Sequence, residues 1–124
     1  VVLTMIPGNP FGYGRIVKDA DGSFVSVVEE KDASEDEKKI KEVNSGTYLF
    51  KSSLLFEGLK SITTDNAQGE YYLPDVLSYV LRRGFKVKTC LLEDAREGQG
   101  INTREELLEI EKYISSQNRY KVNE

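Results

Sequence analysis

The stretch Val1-Val2-Leu3-Thr4-Met5-Ile6-Pro7-Gly8 decides how the rest of the chain is read. A short apolar run closed by Pro-Gly is too brief for a helix and lacks the alternation of a half-wet strand. It therefore reads as a strand buried on both faces. A start inside such a run, without methionine or cap, reads as a piece of something longer. Working outward, Asn9-Pro10-Phe11-Gly12-Tyr13-Gly14 is turn-rich, and Arg15 to Lys18 extends as a strand. Asp19-Ala20-Asp21-Gly22 is a hairpin turn, with Gly22 supplying a positive-φ position. The returning strand runs from Ser23 to Glu29. Ser34 followed by Glu37 fits a capping box, so a short solvated helix is expected over 35–40. Val43 to Lys51 reads as a strand broken at Ser45-Gly46.

Ser52 or Ser53 is expected to cap a helix with Leu54, Leu55, Leu59 and Ile62 on its apolar face. Pro74 suits a helical N1 position, and Asp75 complements the helix dipole. Val76, Leu77, Val80 and Leu81 then recur at helical spacing up to Gly84, which reads as C′. Phe85 to Leu92 alternates as a strand. Thr103 opens a last helix, 105–113, with Leu107, Leu108 and Ile110 expected inward and 114–124 as a frayed tail or linker helix. The order is strand, hairpin, strand, two helices, strand, helix, which is an α/β pattern.

At 124 residues the chain fits one domain. Its formal net charge of −4 gives no basic surface for tracking phosphates, so nucleic acid is not an expected partner. No apolar run approaches a membrane span, and no leader pattern opens the chain. Cys90 is the single cysteine, which allows no disulfide within the chain and suits a reducing, cytoplasmic setting. With no histidine, zinc sites and histidine triads are excluded, leaving carboxylate, amide, hydroxyl and glycine chemistry.

Five segments could carry that chemistry. In Gly12-Tyr13-Gly14-Arg15-Ile16 a residue without Cβ lets backbone approach a ligand, although two glycines after Asn-Pro also simply make a turn. Glu29-Glu30-Lys31-Asp32 puts carboxylates at a strand end, where one could accept from sugar hydroxyls; a solvated charge run is the ordinary alternative. Strand alternation would keep Glu29 and Glu30 on opposite faces. Asn44 beside Ser45-Gly46 offers donor and acceptor together, or else marks a β-bulge. Asn102 in Gly100-Ile101-Asn102-Thr103 is either a helix cap or an oxygen donor for a hard cation. Asn66-Ala67-Gln68-Gly69-Glu70-Tyr71-Tyr72-Leu73 is neither core nor ordinary loop, having little apolar periodicity and two adjacent tyrosines.

In this order and spacing the five segments resemble the bacterial N-acetylglucosamine-1-phosphate uridylyltransferase domain, over roughly residues 1–113. That domain is the N-terminal part of a bifunctional uridylyltransferase/acetyltransferase of cell-wall precursor synthesis. The resemblance implies a partial doubly wound, mostly parallel sheet of nucleotide-diphospho-sugar transferase type, with a β-hairpin. It also implies the reaction of UTP with N-acetylglucosamine 1-phosphate to give UDP-N-acetylglucosamine and pyrophosphate. By motif, the Gly14 backbone and the Glu29 and Asn44 side chains would hold the sugar. Asn102 would ligate a Mg²⁺ shared with an aspartate that this chain lacks. The family's Gly-rich nucleotide loop is also absent from these residues, so the chain is expected to be inactive alone. Its first strand is expected to leave an apolar edge, inviting self-association or pairing with the half that carries the nucleotide loop. Two alternatives remain: a non-catalytic interaction module of the same fold, and a nucleotidyltransferase for another sugar.

Overall fold

The computed structural model describes residues 1–101 and 103–117. Five strands form one sheet: β1 (Val2–Met5), β2 (Arg15–Lys18), β3 (Phe24–Val28), β4 (Val43–Tyr48) and β5 (Thr89–Leu91). Three α-helices follow β4 in the chain: α1 (Ser52–Leu59), α2 (Asp75–Arg82) and α3 (Arg104–Ser116). The strand order is β3-β2-β4-β1-β5.

Only β1 and β5 pair in parallel; β2–β3, β2–β4 and β1–β4 are antiparallel. This corrects the expectation of a mostly parallel sheet. Parallel neighbours need a long crossover. Here the parallel strands β1 and β5 are separated by all the intervening elements, including α1 and α2, while a tight turn joins β2 to β3. That turn is the one expected: Gly22 N–H donates to Asp19 O at 3.0 Å, with Gly22 at φ 79°.

The first strand is buried on both faces, as its composition requires: Val2, Thr4 and Met5 are wholly inaccessible. Val2 joins Ile16, Phe24 and Leu77 of α2 in the main core cluster. Met5, on the opposite face, packs near Gly98, in a 3-10 turn spanning Ala95–Gly98. Its expected free edge is not there, because β4 and β5 flank β1 on its two sides. The sheet edges are β3 and β5.

Helix α2 follows local rules closely. Pro74, expected at N1, is the N-cap residue instead, with helical dihedrals ahead of Asp75, and Val76, Leu77 and Val80 are buried. At its end Gly84 N–H donates to Leu81 O and Phe85 N–H to Val80 O, with Gly84 at φ 80°. This is a Schellman closure, and it takes Phe85 out of the expected strand, so β5 is confined to Thr89–Leu91. Helix α1 meets α2 at buried Gly58, where a Cβ would lie 2.7 Å from Val76 Cγ1. Neither Ser52 nor Ser53 caps α1; its N-cap is Lys51, without a side-chain bond.

Ser34 and Glu37 do exchange capping bonds, at 2.7–3.3 Å, yet only one 3-10 turn (Glu37–Lys39) follows. A run this charged has no apolar face to anchor a longer helix. Thr103 and Glu106 form a full capping box for α3. The inward orientation expected for Leu107 and Leu108 fails: they are 51% and 53% exposed, and α3 buries no residue. Amphipathic spacing produces burial only where a partner surface exists. Tyr113 ties α3 to the body, donating to Asp94 Oδ2 at 2.8 Å while Arg96 lies 4.0 Å over its ring. The tail boundary drawn at 113 falls inside α3, and residues 118–124 lie outside the described ones.

Candidate functional site

Gly14 is buried just before β2, and its carbonyl accepts from the Asn44 N–H at 2.9 Å. A Cβ here would stand 2.8 Å from Val27 Cγ1 and 2.9 Å from Glu29 Oε1. Space, rather than an unusual dihedral, makes glycine necessary. The same contact puts the Glu29 carboxyl directly over the Gly14 backbone. Burial holds the Glu29 carboxyl above the usual range, and Asp32 and Asp75 push it further the same way.

Asn44 sits at a β-bulge. Thr4 faces Asn44 and Val2 faces Tyr48, so two residues of β1 are spanned by four of β4. Gly46 takes up the excess at φ 80°, and its N–H donates to Asn44 Oδ1 at 3.0 Å. The Asn44 amide also donates to the Tyr48 hydroxyl at 2.6 Å. Burial raises the Tyr48 phenol above its ordinary pKa, with the bond from Asn44 opposing and the field of Glu29 adding. A carboxamide can make four hydrogen bonds, so Asn44 keeps capacity for a ligand. Both readings left open for Asn44, bulge and ligand amide, thus fit the same residue. The structure brings Gly14, Glu29 and Asn44 together; Asn102 lies outside the described residues.

Glu30 does a different job. Arg15 is 2% exposed, and its Nη2 pairs with Glu30 Oε2 at 2.7 Å, while Nη1 donates to the Tyr13 carbonyl. The Gly12 N–H also donates to Glu30, at 3.2 Å. Because β3 ends at Val28, strand alternation does not reach the two glutamates. Contrary to that expectation, both border one open cleft of about 390 Å³, with Phe11, Gly12, Lys31, Lys38 and Gln68.

Gln68 belongs to the Asn66–Leu73 segment, which therefore reaches this cleft through Gln68. Asn66 shapes it locally: Oδ1 accepts from the N–H groups of Gln68 and Glu70, and Nδ2 donates to Glu70 O at 2.6 Å. Asp32 ties it to the β3 end, accepting from the Ala67 N–H at 2.8 Å and from the Tyr72 hydroxyl at 3.3 Å. Sequence reasoning does not single out Arg15, Asp32 or Tyr48. A charge run hides Asp32, and only the bulge register brings Tyr48 to Asn44.

The arrangement gathers one partly buried carboxylate, one carboxamide and one tightly packed glycine. Among the described residues no group of three or more histidines, cysteines or carboxylates converges to hold a metal ion. No helix among them is long and apolar enough to cross a membrane.

No protein-family model matches the chain. Curated proteins named bifunctional protein GlmU, from several bacteria, are similar to nearly all of it. The protein from Streptococcus suis is 50% identical over 123 residues, 99% of this chain and 26% of the relative. That from Streptococcus equi subsp. zooepidemicus is 51% identical over 110 residues, 89% of this chain and 24% of the relative. That from Pelotomaculum thermopropionicum is 48% identical over 113 residues, 91% of this chain and 25% of the relative. The chain thus spans about a quarter of the length of the curated relatives it matches, and the resemblance drawn from its motifs is borne out.

Proposed function

We propose that this chain forms the sugar-binding side of a sugar-1-phosphate nucleotidyltransferase site. The parent reaction would be the one its motifs imply, UTP with N-acetylglucosamine 1-phosphate giving UDP-N-acetylglucosamine and pyrophosphate. The observation that carries this reading is the juxtaposition of Gly14, Glu29 and Asn44, with Glu29 bordering the cleft that Gln68 also lines. In it the Gly14 backbone and the Glu29 carboxylate would take sugar hydroxyls, and Asn44 the acetamido group or a neighbouring hydroxyl. Such transfers depend on positioning and charge neutralisation, and need no side-chain nucleophile. That is compatible with a chain without histidine.

The proposed Mg²⁺ would neutralise phosphate charge, with Asn102 as one ligand. The described residues do not themselves assemble a site for it. These 124 residues contain no Gly-rich nucleotide loop, and we expect no turnover from the chain alone. The proposed setting is cytoplasmic.

Isothermal titration with UDP-N-acetylglucosamine tests the reading. Saturable binding is expected, weakened roughly tenfold by Asn44→Ala, the worth of one lost hydrogen bond in a partly buried site. No saturable heat, or equal affinity in the variant, would overturn it.

A second reading, association with another copy or with a nucleotide-binding half, is favoured by apolar exposure near the sheet. Leu91 on edge strand β5 is 52% exposed and Leu49, just past β4, 72%. Light scattering that shows a monomer at all concentrations would remove the self-association form.

A further inference from the structure

We infer that Asp32 is a positioning residue that holds the Ala67–Tyr72 wall against the Glu29 cleft and so sets the opening through which the sugar enters. The inference deepens the proposed function and rests on its placement of the sugar at Glu29. Asp32 lies in the turn after β3, where its N–H donates to Glu29 O at 3.0 Å. Its two carboxylate oxygens then bond separate points of a segment 35 and 40 residues further on, the Ala67 N–H and the Tyr72 hydroxyl. Gln68, a lining residue of the cleft, donates in turn to that Tyr72 hydroxyl at 2.8 Å. The Asn66 side chain folds the segment upon itself and bonds only within it. Among the described residues, both hydrogen bonds from the segment to a distant part of the chain end on Asp32.

The same carboxylate acts on Glu29 through space. The groups facing Glu29 are Asp32 on its own turn, Asp75 of α2, Tyr72 of the wall and Tyr48 of β4; Glu30, Lys31 and Lys38 border the cleft. Asp32 stands ahead of Asp75 in raising the proton affinity of Glu29, behind burial itself. Anchor and field can be separated by substitution. Asp32→Asn retains an acceptor for Ala67 and can donate to the Tyr72 oxygen, but carries no charge. Asp32→Ala removes both.

Amide exchange and carboxyl NMR on the 124-residue chain test this without any ligand. Asp32→Ala should speed exchange at Ala67 about tenfold or more, the equivalent of one lost charge-assisted bond, while Asp32→Asn stays within about threefold. Both should lower the Glu29 titration midpoint. Protection at Ile16 in β2 should be equal in all three proteins. Affinity for UDP-N-acetylglucosamine should then follow Ala67 exchange, falling in Asp32→Ala and being largely rescued in Asp32→Asn. Unchanged Ala67 exchange in Asp32→Ala, an unmoved Glu29 midpoint in Asp32→Asn, or loss of protection at Ile16 would overturn the inference. Absence of sugar-nucleotide binding by the unsubstituted chain would defeat the sugar reading alone, because exchange and titration report on Asp32 independently.

Discussion

The cleft around Glu29 and the helix α3 are both decorated with charge, yet they are built in opposite ways. Around the cleft, polar groups are tied to backbone or to buried partners: Asp32 to Ala67, Glu30 to Arg15, Asn44 to Gly46. Helix α3 is well capped and regular, but no side chain of it is buried, and Tyr113 on Asp94 and Arg96 is its visible tie. The difference teaches that local regularity and fixed position are separate properties. A capping box makes a helix; only contacts with distant residues place it.

The contrast is broken most severely at Arg15. Glu30→Ala would leave a guanidinium buried without its carboxylate, at a cost of about 3 kcal/mol. A urea melt should show the whole sheet losing stability, since Arg15 lies within β2. An unchanged midpoint would mean that the cleft is no more firmly built than α3.

Tyr113→Phe should loosen α3 by removing the bond to Asp94. This loss should be local: faster amide exchange along α3 with little change in the urea midpoint. A global shift instead would show α3 to be integral to the fold.

Acid should separate the regions by sign. Bonds from Arg96 and Tyr113 hold the Asp94 carboxyl well below the usual aspartate range. A lowered carboxyl contributes stability above its unfolded value and loses it as pH falls through its folded one. Protection of α3 should therefore fade in strong acid. Glu29 is raised, so its folded form holds the proton more tightly than the unfolded chain does. Between the ordinary glutamate value and the raised one, its contribution falls as pH increases. NMR titration of the two carboxyls, with exchange followed alongside, checks both directions.

The smallest effect is expected at Leu107. Because it is half exposed, Leu107→Lys should change stability by no more than about 0.5 kcal/mol. A larger loss by urea titration would reveal that something covers α3 in solution.

Much of the fold is legible because short-range rules decide it. The Asp19–Gly22 turn, the Pro74 start and Gly84 end of α2, and the two-sided burial of β1 each follow from a few adjacent residues. The parts that are not legible depend on residues far apart. Pairing direction in the sheet follows from which connections cross over, and the exposure of Leu107 and Leu108 from the lack of a facing surface. The cleft is half legible. Gly14, Glu29 and Asn44 each carry a chemical reason for notice, but Arg15 looks like an ordinary strand residue and Asp32 like one charge among many. Their importance lies in partners that spacing does not reveal.

The interior place of β1 also governs the order in which the chain can assemble. Its neighbours are β4 and β5, and the Thr4 hydroxyl reaches the Cys90 carbonyl, 86 residues away in sequence. The β2–β3 hairpin can close early, within a few residues. Strand β1 can pair with β4 earlier, but its other side waits for β5, the last strand and an edge of the sheet, and closing so long a loop is slow. During that interval Val2 and Met5 are exposed to solvent and to other chains. Chaperone dependence and temperature-sensitive yield are the biological signature to expect from a sheet whose last edge strand arrives late.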